Sequence, residues 1–207
     1  MRVALPDSRQ LPDTVHPDVA SAWQAAARTL ESLGATVEAV RLPAWLFDLG
    51  MPAGTISTSE MFSLHRGWIE DKSKAIGDGV RGRALLGKNF PPGAYAEELR
   101  RMGQRRAEFM DWMRPYDVLL TPSVPCPPIP LGEVDETSAV AAQLTRPGNY
   151  LGLCGLSMPS GFPNGLPVGI QILGKPYRES DVFRIGKAFQ DATDFHRRAP
   201  DLSSLGL

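Results

Sequence analysis

Cysteine is nearly absent from this chain: Cys126 and Cys154 are the only two, and neither belongs to a Cys-x-x-Cys pair. That usage excludes a disulfide framework and suits a reducing compartment, so a cytoplasmic location is expected. Histidine is as scarce. His16, His65 and His196 lie far apart, outside any His-Glu-x-x-His pattern, and no metal site is expected. An excess of charge is missing too, because 22 Lys and Arg face 23 Asp and Glu for a net charge of −1. This balance gives no electrostatic reason to expect nucleic acid or an anionic membrane as a partner. The basic pairs Arg100-Arg101, Arg105-Arg106 and Arg197-Arg198 read as solvated helix faces. No apolar run approaches the length of a membrane span, and "MRVALPDSRQ" has no apolar signal core.

What is present is ordinary globular material, with 43% hydrophobic and 22% charged residues among 207. It suffices for a sizeable core, and a single domain over residues 1–207 is expected. "RVALP" reads as a buried strand. In the helix that follows, Val19, Trp23, Ala26, Ala27, Leu30 and Leu33 share one stripe, with Pro17 in the first turn and Gly34 at the stop. "ATVEAVRLP" supplies a second strand, and β-α-β order predicts a parallel pair. A helix over Ala53–Lys74 offers Ile56, Phe62, Leu64 and Trp68 for burial, and a short one covers Val80–Leu86. Tyr95, Leu99, Met102, Phe109 and Met113 recur at helical spacing until Pro115 forbids continuation.

"DVLLTP" reads as a short buried strand entering the extended loop "SVPCPPIP". "SAVAAQLTRPGNYLGL" suggests a helix to about Thr145, broken at Pro147-Gly148. "LSMPSG" and "LPVGIQILG" are strand-like. Asn164-Gly165 between them is a hairpin signal, since both residues tolerate positive φ. A last helix over about Glu179–Asp191 aligns Val182, Ile185 and Phe189. The fold class is therefore α/β.

The seven glycines of "GNYLGLCGLSMPSGFPNGLPVGIQILG" invite a test for chemistry. The stretch contains no Gly-x-Gly, so it is not a dinucleotide fingerprint. Gly87-Lys88-Asn89, Gly174-Lys175-Pro176 and Gly186-Lys187-Ala188 all fail the P-loop pattern, and Gly155-Leu156-Ser157-Met158-Pro159 fails the nucleophile elbow at its last position. The glycines read as structural, allowing turns and close backbone approach. His65 on a helix face reads first as structural, nothing next to Cys126 would lower its thiol pKa, and a different enzyme using either residue stands as a third reading; Asp117 reads as a turn or capping residue.

In order along the chain, "YDVLLTPSVP", a Thr-x-x-x-Asn before the glycines, "PSG" and "GLPVGIQILG" resemble the C-terminal half of the amidase signature family. "RVALP … LESLGATVEAVRLP" and the helix bearing Glu60 and His65 are similar to it as well, so the resemblance runs from about Arg2 to Pro200. It implies the C-terminal portion of the amidase signature fold, a mixed β-sheet flanked by α-helices. It also implies hydrolysis of small amides by a Ser–cis-Ser–Lys triad through an acyl-enzyme, with no cofactor.

The triad's signature resembles "GGSSGGS" and does not occur here. The only Ser-Ser pair is Ser203-Ser204, and Lys72-Ser73-Lys74 lacks glycines. The resemblance therefore implies no catalytic residue in this chain and a partner, the N-terminal amidase half, supplied by the same gene or in trans. Thr121, Pro122, Thr145, Asn149 and Gln171 carry over as substrate-pocket or pocket-supporting residues. The glutamine-hydrolysing amidotransferases of the family carry an acidic residue about three positions before the threonine matching Thr145, where this chain has Ala142. That departure turns the expectation toward stand-alone small-molecule amidases. The alternative is a non-catalytic binding or assembly module derived from an amidase. An isolated half is also expected to expose a strand edge and an apolar face, and so to self-associate or be marginally stable.

Overall fold

The computed structural model describes residues 1–135, 138 and 140–200. Five strands form one mixed sheet: β1 (Arg2–Pro6), β2 (Thr36–Val40), β3 (Val118–Pro122), β4 (Cys154–Gly161) and β5 (Val168–Gly174), in the order β2-β1-β3-β5-β4. β1 runs parallel to both β2 and β3, as the β-α-β reading requires, whereas β5 is antiparallel to β3 and β4. The helices are α1 (Pro17–Ser32), α2 (Gly50–Glu70), α3 (Asp78–Leu86), α4 (Ala94–Trp112), α5 (Arg146–Leu151) and α6 (Glu179–Ala192). The expected mixed sheet with flanking helices is what the chain forms.

Alternation along the central strands divides the core in two. On one face Val118, Leu120, Ile170 and Ile172 pack with Trp23 and Leu30 of α1 and with Val182, Ile185 and Phe189 of α6. The Trp23 indole N–H also donates to the Leu120 carbonyl at 3.0 Å, so the ring is buried without an unpaired donor. On the other face Ala4, Leu119 and Leu173 meet Leu46, Leu49, Phe109, Met113, Tyr150 and Leu151. Each fully buried side chain of this kind contributes about 1.5–3 kcal/mol over exposure. In the connection between β4 and β5, Asn164 and Gly165 take φ of 51° and 79°, the left-handed pair expected of that turn.

Three local expectations need correction. α2 spans Gly50–Glu70 instead of Ala53–Lys74, and His65 departs from helical geometry with φ −120° and ψ 19°. Beyond this kink Ile69 turns inward while Trp68 is left outside. Leu64 is 77% and Trp68 61% exposed, against the expected burial. Leu33 lies just past the last turn of α1, so it leaves the buried stripe and is exposed. Pro147 opens α5 from within its first turn instead of breaking a longer helix, because its missing N–H has no bond to lose there. The part of that expected helix at Ala139, and the Ser203-Ser204 pair, lie outside the described residues.

Candidate functional site

The second face of the sheet changes character along its length. Residues paired across antiparallel strands share a face, so Leu119, Leu173 and Gly155 form one cross-strand row, and Thr121, Gln171 and Ser157 form the next. One further step brings Ser123, Gly169 and Pro159 together. The face is therefore apolar beside α4 and α5 and becomes polar toward the end of β3.

Gln171 organises this polar end. It is 6% exposed, and its side-chain N–H₂ donates to Thr121 Oγ1 at 2.9 Å and to the Leu144 carbonyl at 2.6 Å. Thr121 is fully buried. The bond to Leu144 fixes the segment that enters α5, where Thr145 follows at once. The Thr145 hydroxyl folds back onto the Ala142 carbonyl at 3.1 Å. Asn149 lies one turn further along α5 and is exposed. Pro122 pairs with Ile170, so it belongs to the opposite face, toward the α1 and α6 core. Of the five residues named from sequence, Thr121 and Gln171 are in contact. Thr145 adjoins them through the backbone, while Asn149 and Pro122 are held apart from that pair.

Ser123 and Ser157 also belong to this site, although sequence reasoning passes over them. Their hydroxyls are 2.7 Å apart, across the intervening strand β5. Gly169 makes this approach feasible: a Cβ there would lie 3.0 Å from the Met158 carbonyl oxygen and 3.2 Å from Ser123 Oγ. A depression of about 290 Å³ opens over Ser123, Ser157, Pro159 and Gly169. The sequence holds a signal for Ser123, since it follows Thr121 at the strand period of two. Ser157 enters the sequence reading only as a nucleophile in an elbow.

A buried polar contact joins α4 and α5. Tyr150 on α5 donates its hydroxyl to Glu98 Oε1 on α4 at 2.6 Å, and the Arg105 guanidinium lies 5.9 Å from the Tyr150 ring centre. Burial, reinforced by the bond to Glu98, pushes the Tyr150 phenol up to about 12. Elsewhere, a cavity of about 650 Å³ is lined by Ser59, Glu60, Ser63, Leu64 and Tyr95. There the Tyr95 hydroxyl donates to Glu60 at 2.8 Å, a bond that raises the Tyr95 pKa. His65 is exposed on α2, the helix that also carries Glu60, and Cys126 is half-buried in the proline-rich loop.

In the polar row Thr121 and Gln171 satisfy one another and Leu144 from within, and the Ser157 hydroxyl is the group exposed at the surface. None of its members can act as the base that takes a proton from a serine hydroxyl at neutral pH.

Residues 1–183 match the family model described as Amidase, and the chain belongs to the amidase signature family. It is 32% identical to the A component of the glutamyl-tRNA(Gln) amidotransferase of Ligilactobacillus salivarius, over 98% of this chain and 47% of that protein. The corresponding protein of Enterococcus faecalis is 33% identical, over 97% and 46%. Among solved structures, one described as an amidase superposes with a TM-score of 0.80 at 24% identity, covering 92% of this chain and 45% of that one. The A component of the Thermotoga maritima glutamyl-tRNA(Gln) amidotransferase gives 0.68 at 26% identity, covering 92% and 42%. The chain thus spans about half the length of the curated relatives it matches.

Proposed function

We propose that this chain is the C-terminal half of an amidase that hydrolyses carbon–nitrogen bonds of small amides, and that it forms a wall of the acyl-binding pocket. The observation that carries this reading is the polar end of the second sheet face, Thr121–Gln171–Ser157 with Ser123, within a chain matching the amidase family over residues 1–183. Thr121 and Gln171 support the pocket from the sheet, while Thr145 and Asn149 border it from the start of α5. Pro122 ends β3 and sets the direction of the loop that follows. The nucleophilic serine, its bridging serine and the lysine belong to the complementary half. Alone, the chain binds without turning over, because orientation without an activated nucleophile leaves the amide bond intact.

The test begins with the coding sequence upstream of Met1, where a lysine-bearing strand and a Gly/Ser-rich segment are expected, in frame or as a neighbouring gene. Co-expression of the two halves is expected to give hydrolysis of simple aliphatic and aromatic amides that neither half shows separately. Turnover by the 207-residue chain alone, or no such coding sequence, overturns the proposal.

The amidotransferase relatives favour a second reading, a glutamine-hydrolysing component of an amidotransferase. Against it stands Ala142, an exposed residue whose carbonyl is engaged by Thr145, at the position where the family resemblance implies an acidic side chain in glutamine-hydrolysing members. Release of ammonia from glutamine in preference to simple amides decides for this second reading.

A further inference from the structure

α2 carries two carboxylates, Glu60 and Glu70, and a single arginine. That arginine, Arg66, is bonded to Glu70 at 3.0 Å, with its guanidinium 5.9 Å from the centre of the Phe62 ring. Glu60 is therefore left without the one arginine of its helix, and it forms no ion pair among the described residues. Its bond is to a neutral group. The Tyr95 hydroxyl donates to Oε1 at 2.8 Å, and Oε2 has no partner among the described residues.

Two glycines place Tyr95 there. A Cβ on Gly87 would lie 2.1 Å from the Thr58 carbonyl oxygen and 2.8 Å from Phe62 Cβ, so the turn after α3 can lie against α2 only without a side chain. Gly93 then takes φ of 84°, the left-handed geometry that turns the chain into α4, and Tyr95 follows in the first turn of that helix. On α2, Ser59, Glu60, Ser63 and Leu64 stand at spacings of one, three and four, which puts them on one side of the helix.

The cavity of about 650 Å³ between these elements has the size of a small-molecule site. Of its five lining residues, Glu60 alone is charged. The Ser59 and Ser63 side chains have no hydrogen-bond partner among the described residues. Leu64, 77% exposed, and the Tyr95 ring supply an apolar wall. The bond to Glu60 raises the Tyr95 pKa, so the phenol stays a donor and keeps Oε1 occupied.

These groups select a ligand by charge and by donor count. A primary ammonium has three N–H donors, and one free carboxylate oxygen with two serine hydroxyls offers three acceptors. The face of the Tyr95 ring attracts a cation as well. An anion is repelled by Glu60, and a bare inorganic cation leaves the Leu64 wall and most of the volume unused. We infer that this cavity binds a small organic primary amine in its protonated form, with the ammonium at Glu60 and an alkyl or aryl body along Leu64 and Tyr95. The site shares no residue with the polar row and does not depend on the reading of the chain as half an amidase.

The test titrates the 207-residue chain with n-butylammonium chloride at constant ionic strength, followed by heat and by the amide NMR signals of the lining residues. Saturable one-to-one binding that moves the Ser59, Glu60, Ser63 and Tyr95 signals is expected. Ammonium chloride is expected to bind at least about fivefold more weakly, for want of an apolar body. Butyrate and n-butanol are expected not to saturate. Glu60→Gln keeps the shape of the side chain and removes its charge, and is expected to weaken n-butylammonium binding at least about tenfold. Glu70→Gln, at the far end of α2, is expected to bind as the native chain does. Thermal unfolding checks both variants, and the NMR signals of the native chain decide if Glu60→Gln fails to fold.

Absence of saturable n-butylammonium binding, or signals that move elsewhere in the chain, overturns the inference. Equal weakening in Glu60→Gln and Glu70→Gln also overturns it, because the attraction then belongs to the charge of the whole helix. Ammonium chloride binding as tightly as n-butylammonium makes the occupant an inorganic cation, and n-butanol binding as tightly makes the cavity merely apolar; either result overturns the assignment.

Discussion

Gln171 on β5 donates to the backbone carbonyl of Leu144, 27 residues earlier in the chain, while the same amide group holds the Thr121 hydroxyl. One side chain thus joins the sheet to the segment that begins α5. Replacing it with leucine retains apolar volume but leaves two buried acceptors unpaired. Gln171→Leu is expected to lose about 1–3 kcal/mol of unfolding free energy in urea. Asn149→Ala, on the exposed surface of α5, is expected to stay within about 0.5 kcal/mol of the native chain. Equal losses in the two variants contradict the joining role of Gln171.

Much of this arrangement is legible in the sequence, and the reason differs by residue. The short apolar runs "VLLTP" and "VGIQILG" mark the strands, and the stripe from Val19 to Leu30 marks the helix on the apolar face. Thr121 and Gln171 stand out separately, as members of two motifs. Their contact depends on the register between strands 50 residues apart, which no local pattern carries. Leu64 and Trp68 fit a helical stripe, yet both are exposed, and for Trp68 the departure at His65 changes the face presented after it. Pro147 suits either the end or the start of a helix, and only the fold chooses the start.

Tyr150 and Glu98 give a pH-dependent prediction. The phenol's ordinary pKa is 10.0, and in the folded chain burial first, then the bond to Glu98, raises it to about 12. A raised pKa means that the folded state holds the proton more tightly. The associated stability is fully present below about pH 10 and is lost as pH rises toward about 12. The shift corresponds to roughly 2–3 kcal/mol. Chemical unfolding at about pH 9 and about pH 11.5 is expected to show a steeper loss for the native chain than for Tyr150→Phe. Parallel pH profiles contradict the assignment.

Gly169 is expected to tolerate no side chain without repacking. The added methyl of Gly169→Ala meets the Met158 carbonyl oxygen at 3.0 Å and Ser123 Oγ at 3.2 Å. Overpacking of this kind costs about 1–3 kcal/mol. Removing the Ser123 hydroxyl relieves one of the two contacts, so Gly169→Ala with Ser123→Ala is expected to recover part of the loss. A double-mutant cycle in denaturant measures this coupling; strictly additive losses contradict the close approach.

The exposed apolar side chains of α2 bear on the behaviour of the isolated chain. Leu64 is 77% exposed and Trp68 61%, one turn apart on the same helix, and apolar surface left open in this way promotes association. The chain alone is expected to form concentration-dependent oligomers or to unfold at modest temperature. Two different surfaces can cause this, the α2 residues and the uncharged edge β4, and substitution separates them. Leu64→Lys with Trp68→Lys removes the first and leaves the edge; Gly155→Pro removes an edge donor and leaves α2. Light scattering during dilution reads both. Loss of association only in the α2 variant assigns self-association to that helix. A stable monomeric native chain contradicts the expectation, and shows that a neutral edge and an open apolar helix can coexist with solubility in this fold.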